Sequence, residues 1–251
     1  MFQHGHNSGM ASKPETPPGT RIYAVGDIHG RLDLLEALQT EIVDDLARNP
    51  VSRAVLVYLG DYVDRGPSSN AVIDQLINQP LPGFEIIHLK GNHEDFLLRF
   101  YDNGEFGESW LMNGGGATLH SYGVDNAEDT FNVIWHLSEF RKAFCHALPA
   151  EHLEFLSSLS LHHREGDYVF VHAGLRPGVP MDQQTAQDQM WIRDDFLFSD
   201  ADFGAVVVHG HSPRPAPVVR DNRIGIDTMA YRSGCLTCVI LEGFEQRFIS
   251  T

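Results

Sequence analysis

Five short β-branched-rich runs in this chain each stop at a glycine beside aspartate, asparagine or histidine, and that repetition restricts the fold more than any other feature. "RIYAVGDIHG" ends with Asp27 and His29, "RAVLVYLGDYVDRG" with Asp61 and Asp64, and "EIIHLKGNHE" with Asn92 and His93. "DYVFVHAG" ends with His172, and "GAVVVHGHSP" with His209 and His211. Apolar runs of this length and composition read as buried strands. After the first three lie amphipathic stretches of helical period, at 31–48, 69–79 and 94–102. In the first, Leu32, Leu35, Ile42 and Leu46 share one face while Asp33, Glu36, Glu41 and Asp45 lie mostly elsewhere. Strand and helix alternating in this way predict a layered α/β fold with partly parallel strands. The carboxyl ends of such strands open on a common crevice, so side chains far apart in sequence meet there.

Taken singly, each strand end has an ordinary explanation. Asp27 or Asp61 can cap the helix that follows, Asn92 suits a turn, and His172 fits a hydrogen-bonded core histidine. Taken together, five buried polar strand ends are costly unless they share a ligand. "GDYVDRGP" is the sharpest case, because two carboxylates and an arginine follow directly on an apolar run.

A chain of 251 residues with 42% hydrophobic content can bury one large core, and a single domain is expected over residues 21–251. Residues 1–20, rich in Gly, Pro, Ser and Thr, are expected to form a disordered tail in which His4 and His6 bind metal only adventitiously. Residues 104–160 carry "NGGGATLHSYG" and then Trp135, Leu137, Phe140, Phe144, Leu153 and Phe155, the pattern of a helical cap or insertion. Strand-like runs return afterwards, with "RIGIDT" and "CLTCVILEG" closing the chain and a turn at Asp221 and Asn222. One mixed sheet, or two sheets sandwiched between helices, would hold both halves.

With 34 acidic against 18 basic residues the formal charge is −16, which repels nucleic-acid backbones and anionic membranes. Neither is expected as a partner, and any phosphate site must be a local basic island. Cys145, Cys235 and Cys238 are too few and odd in number for a disulfide framework, which points to a reducing compartment. Cys235 and Cys238 sit in a strand-like run and read as core packing. No run approaches the ~18 apolar residues of a membrane span. The N-terminus lacks a signal-peptide pattern, so a cytoplasmic location is expected.

"GDIHG", "GDYVDRGP", "GNHE", "HAGL" and "GHSP", in this order and spacing, resemble the metallophosphoesterases and, in the forms "GDYVDRG" and "GNHE", the phosphoprotein phosphatase family. "WIRDDF" followed by "VVVHGHSP" and "IDT" is similar to the small bacterial and phage-type branch of serine/threonine protein phosphatases. One departure is Met229-Ala230, where that branch often carries Gly-Ala. The resemblance implies an α/β calcineurin-like metallophosphoesterase fold, with mixed β-sheets sandwiched between α-helices.

It also implies two divalent metal ions, one held by Asp27, His29 and Asp61 and the other by Asp61, Asn92, His172 and His211. Manganese is expected, with iron or zinc compatible with the same oxygen and nitrogen donors. A hydroxide bridging the two ions would hydrolyse the ester directly. By the same resemblance His93 is the general acid oriented by Asp64, and Arg65 and Arg193 grip the phosphoryl oxygens. His209 is expected at the strand end, and Arg176 and Tyr231, the latter near the rim, are secondary candidates for substrate contact. The activity implied is a phosphomonoesterase acting on phosphoprotein or phosphopeptide, at serine or threonine and also at tyrosine. The alternatives are a symmetric dinucleoside polyphosphate (Ap4A) hydrolase and, in another class, an inactive metal-binding scaffold.

Overall fold

The computed structural model describes residues 13–124 and 135–251. Its frame is two five-stranded mixed sheets packed face to face. In the first, β1 (Thr20–Val25), β2 (Arg53–Tyr58) and β3 (Phe84–His88) run parallel, as their helical crossovers require. β9 (Thr237–Glu242) joins β1 antiparallel and β10 (Glu245–Ser250) extends that edge, giving the order β10-β9-β1-β2-β3. The second sheet has the order β4-β5-β6-β8-β7, from β4 (His162–Glu165), β5 (Tyr168–Val171), β6 (Val206–His209), β7 (Val218–Val219) and β8 (Arg223–Gly225).

Strand alternation divides the apolar side chains between two layers. Ile22, Ala24, Val55 and Val57 face the second sheet and pack with Phe170, Val208 and Ile224, forming the inter-sheet core. Tyr23, Val25, Leu56 and Tyr58 face the other way, onto α1 (Leu32–Arg48), α2 (Ser69–Asn78) and α3 (Asn92–Asn103). In α1 the buried stripe is Leu34, Leu35, Leu38 and Ile42, spaced for one helical face. β1 is buried along its whole length because it is central and covered on both sides. Behind the second sheet, Val169, Val171 and Val207 pack on Ile192 and Phe196 of the short helices α8 (Ala186–Trp191) and α9 (Asp194–Leu197) and the link between them.

The 104–160 stretch is helical in its described parts; residues 125–134 lie outside them. α4 (Gly107–Trp110), a π-helical turn (Leu111–Gly115) and α5 (Gly116–Ser121) lead on to α6 (Leu137–Ala147) and α7 (Ala150–Ser158). Trp110, Leu119, Tyr122, Phe144 and Leu156 join the core over the first sheet, whereas Trp135 is exposed. Residues 13–20, expected to belong to a disordered tail, are instead ordered against the two sheets. The Glu15 carbonyl accepts from Asp167 N–H and the Thr16 N–H donates to the Gly243 carbonyl, each at 3.1 Å, so this segment is tied to both sheets. Residues 1–12, with His4 and His6, lie outside the described residues. Among the described residues no helix is long and apolar enough to cross a membrane.

Candidate metal centre

The loops after β1, β2, β3, β5 and β6 converge where the two sheets open, and backbone hydrogen bonds join them. Asp61 O accepts from Ile28 N–H (3.1 Å) and His29 N–H (2.8 Å), and Gly30 N–H donates to Tyr62 O (2.8 Å). On the other sheet Gly210 N–H donates to His172 O at 2.8 Å. The turns are tight enough to force five non-glycine residues, His29, Asp61, Asp64, Arg65 and His211, into the left-handed region, with φ between +47° and +74°. Such strain, about 1–3 kcal/mol per residue, persists where the surroundings over-determine it and clusters at functional sites. Glycine is obligatory at two contacts: a Cβ at Gly91 would lie 2.1 Å from Asp61 Oδ1, and one at Gly210 would lie 2.0 Å from Asp27 Oδ1.

Asp61 stands at the middle of the convergence. Its Oδ2 lies 3.6 Å from His29 Nε2, 3.4 Å from His172 Nε2 and 3.8 Å from His93 Nε2. Asn92 Oδ1 is 2.9 Å from His172 Nε2 and 2.8 Å from His211 Nδ1. Two donor clusters result, His29-Asp61-His93 and Asp61-His172-His211, with Asp61 common to both. Asp27 falls outside both clusters; its carboxylate accepts the His211 N–H at 3.1 and 3.2 Å. His29 Nδ1 contacts Val63 O and His172 Nδ1 contacts Leu59 O, each at 2.9 Å. An Nδ1–H given to a carbonyl leaves the Nε2 lone pair facing inward, the tautomer a metal ligand needs.

Beside these clusters, His93 Nδ1 donates to Asp64 Oδ2 at 2.6 Å, with both side chains buried. Arg65 makes no ion pair with Asp64. Its Nη1 and Nη2 donate to His29 Nε2 (2.9 Å) and His93 Nε2 (3.1 Å), and its guanidinium lies 4.8 Å from the centre of the Tyr231 ring. Arg193 is exposed and close enough to lower the His211 pKa electrostatically. Arg176 is held elsewhere, by Asp188 (2.6 Å) and Asp195 (3.1 Å). His209 points away from the centre, its Nδ1 3.0 Å from Gly210 O.

Four contributors were not singled out from the sequence. Glu94, fully buried, accepts from the N–H groups of Asp61 (2.9 Å), Tyr62 (2.8 Å) and Gly91 (2.9 Å), and so fastens the β2 turn to the β3 turn. Its place in "GNHE", three residues after the glycine before α3, is a capping-box signal. Asp227 is buried near Asp27 and raises that carboxyl's pKa. Trp110 Nε1 and Thr118 Oγ1 both donate to the Asp64 carboxylate. No local pattern marks those two.

The family model for calcineurin-like phosphoesterases matches residues 20–235. The chain belongs to the calcineurin-like phosphoesterase family. It is 38% identical over 94 residues to serine/threonine-protein phosphatase 2 of Escherichia coli strain K12, 38% of either chain. It is 32% identical over 155 residues to the symmetrical bis(5'-nucleosyl)-tetraphosphatase of Dechloromonas aromatica strain RCB, 62% of this chain and 44% of that one. The matched stretches thus span less than half the length of either relative. A crystal structure of a metallophosphoesterase from Sphaerobacter thermophilus aligns over 93% of this chain and 88% of its own, with TM-score 0.54 at 19% identity.

The donors of this metallophosphoesterase fit a pair of divalent cations. Burial pushes the Asp27 carboxyl well above its usual range and Asp227 adds repulsion, the strain that a bound cation relieves. At Asp61 burial acts the same way, but His172, His93 and His29 outweigh it and hold the carboxyl well below its usual value. Burial holds His29 and His211 well below the ordinary histidine range, leaving neutral imidazoles available as ligands. His211 Nε2 is buried and has no hydrogen-bond partner. Burial opposes charge on His172, yet Asp61, Asp27 and Glu94 push it up to about 10, a proton that a cation would displace. Met229 takes φ +58°, where the glycine of the similar bacterial branch would sit without strain, and its N–H donates to Asp227 Oδ1 at 2.9 Å.

Proposed function

We propose that this metallophosphoesterase is a phosphomonoesterase that dephosphorylates phosphoproteins. The observation that carries the reading is the buried His93-Asp64 pair, 2.6 Å apart, opening with Arg65 on the same mouth as the shared Asp61. Asp27, His29 and Asp61 would hold one divalent ion and Asp61, Asn92, His172 and His211 the other, with manganese as the activating metal. When bound, the ions supply Lewis-acid activation of water and neutralise charge at phosphorus. Arg65 and Arg193 hold the phosphoryl oxygens, presenting the ester in one orientation.

His93 gives a proton from Nε2 to the departing oxygen. Burial works against a charged imidazole here, but Asp61 and Asp64 overcome it and raise the His93 pKa, which keeps the acid form populated near neutrality. In that form Arg65 Nη2 leaves His93 Nε2 and turns to the phosphoryl group. Asp64, 2.6 Å from His93 Nδ1, keeps the imidazole in register, while Glu94 keeps the Asp61 and Asn92 turns together. The similarity to the E. coli serine/threonine-protein phosphatase favours phosphoserine and phosphothreonine.

The test is phosphate release from a phosphothreonine peptide, a phosphotyrosine peptide and diadenosine tetraphosphate, using chelated protein with and without manganese. Manganese-dependent release from the peptides, with little from the dinucleotide, is expected. Turnover of the dinucleotide alone would replace the phosphoprotein reading with the dinucleoside polyphosphatase one. Silence on every substrate would leave a metal-binding scaffold.

A further inference from the structure

We infer that Trp110 and Thr118 are positioning residues that fix Asp64, and through it the proton-donating geometry of His93. The segment carrying them also sets the position of Arg65. This inference rests on the phosphatase reading of the same site.

Asp64 is fully buried, and a carboxyl group in such a place needs a hydrogen-bond partner for each oxygen. His93 takes one position on Oδ2 at 2.6 Å, and Trp110 Nε1–H takes another on the same atom at 2.8 Å. Thr118 O–H donates to Oδ1 at 2.5 Å, and the same hydroxyl oxygen accepts the Asp64 backbone N–H at 2.9 Å. Ser69 Oγ lies 3.0 Å from Thr118 Oγ1 and also accepts the Asp64 N–H at 3.0 Å. Trp110, Thr118 and Ser69 are all fully buried, so no water substitutes for a donor that is removed. Donors on both oxygens prevent the carboxylate from turning about its own bond. A carboxylate that cannot turn holds the His93 ring in one plane, with Nε2 aimed at the mouth of the centre.

The glycines of "NGGG" make this placement possible. A Cβ on Gly115 would lie 2.5 Å from Trp110 Cδ2, and one on Gly114 would lie 2.7 Å from Arg65 Cγ. Gly114 has φ +106° and its carbonyl accepts the Arg65 N–H at 3.2 Å, while Asn113 O accepts from Arg65 Nε at 3.4 Å. One turn therefore touches the guanidinium-bearing residue on one side and the indole that holds Asp64 on the other.

The consequence is selective. Protonation of the leaving oxygen matters when the leaving group is a strong base and little when it is a weak one. Thr118→Val, which exchanges the hydroxyl for a methyl of similar size, is compared with wild type in the manganese-loaded full chain on phenyl phosphate and 2,4-dinitrophenyl phosphate. We expect kcat to fall about 10- to 100-fold on phenyl phosphate and less than about threefold on the dinitrophenyl ester. Bound manganese should be unchanged, Thr118→Ser should restore the rate, and Trp110→Phe should show the same leaving-group dependence. Equal losses on both esters, or no loss on either, would overturn the inference. If Trp110→Phe does not fold, the Thr118 pair decides alone. Failure of the wild type on both esters would remove the phosphatase reading and this inference with it.

Discussion

The loops of the first sheet carry Asp27, His29, Asp61, Asp64, Arg65, Asn92 and His93, whereas those of the second carry His172, His211 and Asp227. Of the left-handed non-glycine residues of the centre, His29, Asp61, Asp64 and Arg65 lie on the first sheet, and His211 and Met229 follow strands of the second. There the three turns are bound to one another by the Asp61 and Tyr62 carbonyls and by Glu94. The second sheet reaches across with imidazoles, held by His172 Nδ1 on Leu59 O and by the His211 N–H on Asp27. The difference teaches that the first sheet is a rigid template for charge and the second completes the ligand set against it. Damage to the template should therefore cost more than damage to the completing half.

The largest effect is expected at Asp61, the side chain common to both donor clusters. Asp61→Asn should lower kcat by more than the about 10²–10³-fold typical of removing one transition-state charge partner, and metal analysis should show both ions loosened. His29→Ala and His211→Ala compare the sheets directly. Each should cost more than about 10- to 100-fold in metal affinity, and His29→Ala should cost more in turnover. Equal turnover in the two variants would break the template idea.

The arginines repeat the comparison on a smaller scale. Arg65→Ala should lose about 10²-fold in kcat/KM, and the exposed Arg193→Ala about tenfold, with the inhibition constant for inorganic phosphate rising in the same order. The smallest effect concerns stability. His88, at the end of β3, stacks on Tyr58 at 5.3 Å, and burial holds it down to about 4. An unfolded histidine takes up its proton near 6.5. Folding stability is thus intact above that pH and declines as pH falls towards about 4. Between pH 7 and pH 5, wild type should lose about 2 kcal/mol more than His88→Phe, read from urea unfolding.

Much of the first sheet's half was legible because its chemistry is local. Each ligand-bearing turn follows its own strand within a few residues, and glycine marks where the backbone must approach closely. The recurrence of apolar runs on both sides of the 104–160 stretch left one mixed sheet or two sheets open, and only the family resemblance pointed to the two-sheet sandwich that the structure has. The edge strands were not, because β4 and β10 are polar or half-exposed and give no buried alternation. Trp110 and Thr118 were not, because their contacts with Asp64 span 46 and 54 residues and depend on how α4 and α5 dock. The attachment of Glu15 and Thr16 depends likewise on partners more than 150 residues away.

The most direct measurement of the central claim is electron paramagnetic resonance of the manganese-reconstituted chain, with metal content determined on the same sample. Two ions per chain with an exchange-coupled signal that disappears in Asp61→Asn are predicted, because one carboxylate then links the two halves. A single isolated-ion signal at saturating manganese, unchanged by Asp61→Asn, would contradict a centre built across the two sheets.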